Sequence, residues 1–396
     1  MTGMYWLLWI SLGIVAYSWL GYPLLVFLLS RLVSRQPARR EEGGDSEVPV
    51  SVPGSGSVVV SVPSVTVIVP VHNEQQKIAT KLGDCLEMLY PHDQLEILVA
   101  SDGSTDRTKK IVERFVERDD RIRWIESDRR VGKSGIQNLA AQQARGDLLF
   151  FTDANTAMTP GVLRTMIESL SDPRVGMVTA TVFFGHPEDA VEKGQGFYWR
   201  YELFLRTAES DLGILATGSG QALLVRRELF RPLPTCYGDD CIMPLDVRLQ
   251  GFRVLQDREA TVFDAMPHSI EGELRARIRM TARNWAGTLS RPGALNPLRF
   301  PLTALGLVSH KLLRWLTPFF LAVVFVSNAG LALTGHSVVL WWLQVGFYLS
   351  AFVGWELTRK QRPAWVFGYP FSFCLANVGF LLGMVKALRN QKIVAY

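Results

Sequence analysis

Apolar and polar positions divide the 396-residue chain into three textures. Residues Tyr5 to Leu29 are almost free of charge and carry Trp6, Trp9, Tyr17, Trp19 and Tyr22 along their length. Such a run is long enough to cross a hydrocarbon core of roughly 30 Å. No basic stretch precedes it and it is too long for a cleaved signal peptide, so it reads as a membrane helix. Arg31, Arg35, Arg39 and Arg40 follow at once, which predicts a cytoplasmic flank here and an external N-terminus. Glu41 to Ser64, rich in Gly, Ser, Pro and Val, reads as a flexible tether. Near the other end, Leu298 to Trp315 is amphipathic and basic at its close, as expected of a segment lying along an interface. Apolar spans then run from about Leu316 to Leu333, Val338 to Leu357 and Val366 to Leu388, each near crossing length. Their flanking charges conflict. Arg359, Lys360 and Arg362 place the loop between the last two spans inside, yet Lys386, Arg389 and Lys392 place the following end inside too. One of these segments is therefore a candidate for a re-entrant or interfacial position.

Between the apolar ends, strands and helices alternate. Val65 to Val71 reads as a strand ended by His72-Asn73-Glu74. Gln76 to Leu89 is helical in pattern, with Ile78, Leu82, Leu86 and Leu89 on one stripe. Leu95 to Ala100 is a second strand, ended by Ser101-Asp102-Gly103-Ser104-Thr105-Asp106, whose hydroxyls and carboxylate can cap the next helix. Ile122 to Ile125 is a third strand. A helix through Ile136 and Leu139 then leads into Asp147-Leu148-Leu149-Phe150-Phe151, which stops on Thr152-Asp153-Ala154-Asn155-Thr156. This β-α-β order implies a mostly parallel sheet covered by helices. Polar residues close three successive strands, at the edge where open α/β sheets bind ligands. Further on, Val175 to Phe184 reads as a strand, Tyr198 to Leu212 as a helix, and Thr217-Gly218-Ser219-Gly220-Gln221 as a loop before the strand Ala222 to Val225. Gly238-Asp239-Asp240 opens a helix that ends near Gly251.

Composition narrows the reading. The net charge of +5 and pI near 9.0 come without a long Lys/Arg stripe, which argues against a nucleic-acid partner. Basic residues cluster instead beside apolar runs, as at a membrane surface. Cys85, Cys236, Cys241 and Cys374 show no zinc spacing and are expected to stay reduced, as in a cytosolic catalytic domain. Gly132-Lys133-Ser134 invites a P-loop reading, but that motif needs a glycine where Ser127 stands. Asp153 and Asn155 carry oxygen ligands that suit a hard divalent cation, or they close an Asx-turn.

The set Val67-Ile68-Val69-Pro70-Val71-His72-Asn73-Glu74, Ser101-Asp102-Gly103-Ser104-Thr105-Asp106, Gly132-Lys133-Ser134-Gly135-Ile136-Gln137-Asn138, Thr152-Asp153-Ala154-Asn155-Thr156 and Gly238-Asp239-Asp240 resembles, in order and spacing, the family 2 glycosyltransferases. The resemblance covers roughly Val65 to Gly287. It is nearest to the membrane-bound branch that includes hyaluronan, cellulose and poly-N-acetylglucosamine synthases. It implies an α/β, GT-A (Rossmann-like) nucleotide-sugar-binding domain with a mostly parallel sheet, flanked by transmembrane helices. By the same resemblance, Pro70, Asn73, Glu74, Asp102, Gly132, Lys133, Asp153 and Arg283 bind the donor. Asp153 and Asn155 hold Mg²⁺ or Mn²⁺, with a neutral amide where the family's Asp-x-Asp motif has its second carboxylate. Asp240 acts as general base with Asp239 as the lesser candidate, and Ser219, Gly220, Gln221 and Trp285 line the acceptor side. Arg283-Asn284-Trp285 departs from the Gln-x-x-Arg-Trp motif of processive relatives.

The expected division of the chain is an N-terminal transmembrane helix (1–30), a linker (31–64), a cytoplasmic glycosyltransferase domain (65–290), an interfacial segment (291–315) and C-terminal transmembrane segments (316–396). The expected activity is inverting transfer of a sugar from a nucleotide-diphospho-sugar, by expectation a UDP-sugar, to a glycan or lipid-linked acceptor. It would take place at the cytoplasmic face of the inner membrane, for exopolysaccharide or cell-surface glycan synthesis, with polysaccharide-export partners conceivable. The alternatives are a polyprenyl-phosphate sugar transferase and a non-catalytic nucleotide-sugar-binding subunit of an export complex.

Overall fold

The computed structural model describes residues 1–33, 62–185, 197–265, 269–362 and 364–389; apart from its two ends, the expected linker lies outside them. The centre of the molecule is an eight-stranded sheet. Its strands are β1 (Val65–Val71), β2 (Leu95–Ser101), β3 (Ile122–Glu126), β4 (Leu148–Thr152), β5 (Ala157–Met158), β6 (Val175–Phe184), β7 (Ala222–Arg226) and β8 (Arg253–Asp264), in the order β3-β2-β1-β4-β7-β6-β8-β5. β1, β2, β3 and β4 are parallel, as the β-α-β alternation predicts. β7 runs antiparallel to both β4 and β6, and β6 is parallel to β8. β1 and β4 are buried at every position, which is why they read as unbroken apolar runs rather than alternating ones. β1 pairs with β4 only as far as Ile68↔Phe151. Pro70 lies beyond that point, where its missing N–H leaves no β4 partner unsatisfied.

The parallel strands deliver the ends of β1, β2 and β4 to one edge of the sheet. The loop after β1 is locked to the loop after β2. Asn73, in the left-handed region at φ 57°, accepts from Thr105 N at 2.8 Å and donates its own N–H to Ser104 Oγ at 3.1 Å. Asp106 accepts from Thr108 N at 2.9 Å and so starts the helix Thr108–Val116. β8 and the short β5 are elements the apolar pattern misses. β8 carries Asp257, Arg258 and Glu259 in its middle, and its register against β6 shifts there.

Four helices among the described residues are long and apolar enough to cross a membrane: Thr2–Val33, Pro301–Leu333, Val338–Arg359 and Gly368–Leu388. The segment expected to lie along the interface up to Trp315 is not a separate element, because the helix runs unbroken from Pro301 to Leu333. The charges that made it look amphipathic are inside the protein. His310 bridges Glu209 at 2.8 Å and Glu202 at 3.1 Å, while Lys311 and Arg314 each reach Glu202 at 2.7 Å. Tyr22 of the first helix donates to Glu209 at 2.8 Å. A buried ionic cluster therefore fastens the helix Phe197–Asp211 of the α/β unit to two apolar helices.

The helix Ile270–Leu289 is capped by Ser269, whose Oγ accepts from Gly272 N at 3.0 Å. The last apolar helix packs along it. A Cβ placed on Gly379 would lie 2.9 Å from Arg277 Cβ, and one on Gly383 would lie 2.6 Å from Thr281 Cβ. The two contacts advance by one helical turn on each partner, so the helices run side by side in the same direction.

Candidate active site

The sheet edge and the helix Asp239–Leu249 converge on Lys133. Its Nζ lies 2.6 Å from Asp153 Oδ1 and 3.0 Å from Asp239 Oδ2. It stands in the first turn of the helix Gly132–Gln143, whose opening Gly132 takes φ 77°, a conformation that a side chain would strain. Burial alone would lower the Lys133 pKa, but Asp153 and Asp239 outweigh it and hold the ammonium charged. Asp102, fully buried at the end of β2, sets this turn. Its two carboxylate oxygens accept from Val131 N at 2.6 Å and Gly132 N at 3.0 Å. Asp102 thus reaches the site through the loop it shapes.

Asp239 and Asp240 open their helix without capping it; Gly238 is the N-cap and no side chain bonds there. Both carboxylates are left for other partners. Asp239 accepts from Gln137 Nε2 at 2.9 Å in addition to Lys133. Burial would raise its pKa, and the Lys133 charge with the Gln137 amide override this and lower it. Asp240 moves the opposite way, raised by burial and by Asp239, against a hydrogen bond from Asn284. Two adjacent carboxylates are thus driven apart: one is a fixed anion and the other has an elevated proton affinity. Such a split marks a group suited to take a proton.

The other predicted residues fall around this pair. Gly220 brings its backbone close, for a Cβ there would sit 3.6 Å from Lys133 Nζ and 3.5 Å from an Asp239 oxygen. Gly218 N donates to Asp240 O at 2.7 Å, joining the Thr217–Gln221 loop to the helix start. Ser219 Oγ accepts from Arg206 Nη1 at 2.9 Å. Arg206 is buried, and among the described residues its Nε and Nη2 have no hydrogen-bond partner. Arg283 Nη2 donates to Tyr237 O at 2.5 Å and its charge acts on both aspartates. Glu74 supports the start of the β1 loop, its N–H donating to Thr108 Oγ1 at 2.9 Å. Trp285 is set apart from the other predicted residues. Its ring stands edge-on to Trp315, centroids 6.0 Å apart, in an apolar cluster with Ala376, Phe380 and Met384.

Lys81 and Asp264 escape the sequence reading, while Gln137 and Asn284, which stand inside quoted motifs, gain a role that the motifs did not assign. Lys81, buried, donates at 2.8 Å to both Thr152 Oγ1 and Thr156 O and so braces the loop that carries Asp153 and Asn155. Gln137 and Asn284 hold the two aspartates. Asp264, at the end of β8, accepts from Asn155 Nδ2 at 2.7 Å and from Gln221 Nε2 at 3.0 Å. Its pKa is raised by burial first and also by Asp153. A lysine on an amphipathic helix and a carboxylate at the end of a strand are too common to be singled out from sequence.

Residues 66–233 match the family model described as glycosyl transferase family 2. Over that stretch the chain is similar to this family. Among similar proteins, an N-acetylglucosaminyltransferase of Rhizobium meliloti (strain 1021) is 28% identical over 295 residues, covering 70% of this chain and 64% of the relative. An N-acetylglucosaminyltransferase of Sinorhizobium fredii (strain NBRC 101917 / NGR234) is 28% identical over 256 residues, 60% of each chain. The chain therefore spans somewhat under two thirds of the length of these relatives. Among solved structures, the mannosyltransferase PcManGT from Pyrobaculum calidifontis, in complex with GDP-Man and Mn²⁺, superposes with a TM-score of 0.72 at 24% identity. The superposition covers 97% of this chain and 99% of that one, so the overall fold is shared.

Replacing Lys133 by Met leaves Asp153 and Asp239 facing each other without a cation. Breaking a buried pair of this kind costs about 3 kcal/mol. The lowered pKa of Asp239 adds stability above the ordinary carboxylate range that disappears as pH falls through its folded value. The deficit of Lys133→Met in thermal unfolding should therefore be largest near neutral pH and shrink below about pH 4. A Tm equal to wild type at pH 7 contradicts this arrangement.

Proposed function

We propose that the protein transfers a sugar, with inversion, from a nucleotide-diphospho-sugar to a hydroxyl or phosphate acceptor at the membrane surface. The observation that carries the reading is the opposed behaviour of Asp239 and Asp240 beside Lys133. Asp240 accepts the proton of the acceptor, the acceptor oxygen bonds to the anomeric carbon, and the bond to the diphosphate breaks with its electron pair leaving on phosphate oxygen. Lys133, drawn from Asp153 towards the diphosphate, offsets the charge of the departing group. The oxygen donors Asp153 and Asn155 fit a hard divalent cation, Mg²⁺ or Mn²⁺, which when bound would neutralise the diphosphate.

The relatives named N-acetylglucosaminyltransferases support an N-acetylhexosamine donor carried on UDP, and the mannosyltransferase supports a GDP-sugar as the competitor. A polyprenyl-phosphate acceptor is the second reading. It is favoured by the unpartnered N–H groups of buried Arg206 next to Ser219, which suit an anionic acceptor.

The membrane arrangement follows from charge and packing together. Ile270–Leu289 carries Glu271, Glu273, Arg275, Arg277, Arg279 and Arg283 and is unfit for hydrocarbon. The last apolar helix shares its depth and direction, and so lies at the inner interface instead of crossing. Three crossings then put the Arg31, Arg359 and Arg389 flanks all on the catalytic side, at the cytoplasmic face of an inner membrane, and the charge conflict disappears. Asn284 on the interfacial helix touches Asp240, so the acceptor meets the base at the membrane surface. This position suits synthesis of a cell-surface or exported glycan.

Membranes containing the protein should release nucleoside diphosphate from one of a panel of labelled UDP- and GDP-sugars only when Mg²⁺ or Mn²⁺ is present. Turnover unaffected by chelation contradicts the metal assignment, and no turnover with any donor and either acceptor class contradicts the enzyme reading. For topology, alkaline phosphatase fused after Ser337 should be active and the same reporter fused after Arg389 inactive. Activity at Arg389 would place the last helix across the bilayer.

A further inference from the structure

Asn155 leaves the metal position one carboxylate short, and Asp264 stands against it. We propose that Asp264 supplies the second carboxylate of the cation site, with Asn155 as the residue that positions it. The inference rests on the metal-dependent reading above. Asn155 Nδ2 donates to Asp264 Oδ1 at 2.7 Å, and Ala265 N donates to the same oxygen at 2.7 Å. Gln221 Nε2 holds the other oxygen at 3.0 Å. Every partner is a neutral donor, so the negative charge of Asp264 is not cancelled by these contacts.

The backbone explains why these two side chains meet. β5 begins two residues after Asn155 and pairs antiparallel with β8, Ala157 opposite Phe263. The pairing carries the end of β8 back to the start of β5, and the parallel ladder with β6 fixes its height at Phe184↔Asp264. The residue at 155 is then matched to the residue at 264. An Asp at 155 would set two carboxylates at hydrogen-bond distance, whereas an amide there donates to the one carboxylate and orients it. One carboxylate has moved from the β4 loop to the end of β8, and the charge of an Asp-x-Asp site is preserved. Gln221 extends the contact to the Thr217–Gln221 loop, so cation binding would also order that loop beside Asp239.

The test is Mn²⁺ binding to the purified full chain in detergent with UDP or GDP present, read from the electron paramagnetic resonance of free Mn²⁺. Asp264→Asn should weaken Mn²⁺ binding at least tenfold while retaining the wild-type Tm. Asn155→Asp combined with Asp264→Asn, which restores the carboxylate and reverses the hydrogen bond, should recover most of it. Wild-type affinity in Asp264→Asn, with binding still abolished by Asp153→Asn, overturns this inference alone. Failure of the wild type to bind Mn²⁺ overturns both it and the reading on which it rests.

Discussion

The site depends on one cation held between carboxylates from the two halves of the fold. Asp153 follows β4 of the parallel half, Asp239 opens the helix between β7 and β8, and Lys133 bridges them at 2.6 and 3.0 Å. Each member would be costly alone, since a charge removed from water needs a partner. Together they join the end of β4 to the start of the helix Asp239–Leu249. On the proposed function, a nucleoside diphosphate replaces a carboxylate as the partner of Lys133, which would make the bridge a site and not only a clasp. The same cation decides the proton affinities beyond it. It pins Asp239 as an anion, and that anion raises Asp240.

A second ionic arrangement, built on Glu202, Glu209, His310, Lys311 and Arg314, does for the membrane unit what Lys133 does for the cleft. It joins the helix Phe197–Asp211 to the helix Pro301–Leu333. Arg206, on the same catalytic helix, bonds Ser219 in the acceptor loop. Asn284 and Trp285 sit side by side on Ile270–Leu289, one turned to Asp240 and the other to the apolar cluster around Trp315. On the proposed function, the base is thus joined by one helix to the apolar helices, and a sugar acceptor held at a membrane would not need to travel to reach it.

The parallel half was legible because its strands are buried on both faces and end in polar residues, a pattern independent of distant contacts. Asp153, Lys133, Asp239 and Asp240 could be singled out for the same reason: each lies at a strand or helix end within a motif of fixed spacing. Asp264 could not, because its meaning comes from a partner 109 residues away, and Gln137, although part of a quoted motif, takes its role from Asp239, 102 residues on. β8 escaped because Asp257, Arg258 and Glu259 break its alternation where the register shifts. The ion pairs of the helix before Trp315 were hidden for a related reason. A helix with His310, Lys311 and Arg314 looks amphipathic until Glu202 and Glu209, a hundred residues earlier, are seen to be buried against it. Asp102 shows the opposite case, a residue expected at the donor whose carboxylate accepts from Val131 N and Gly132 N and shapes the Gly132 turn.

The account divides labour between a donor side at Asp153 and Lys133 and a proton-accepting group at Asp240. The most direct measurement compares nucleoside diphosphate binding, by calorimetry in the presence of Mn²⁺, with transfer by the same preparation of Asp240→Asn. The account predicts binding within a few-fold of wild type and transfer reduced on the order of 10²-fold or more. Transfer by Asp240→Asn at the wild-type rate would contradict it.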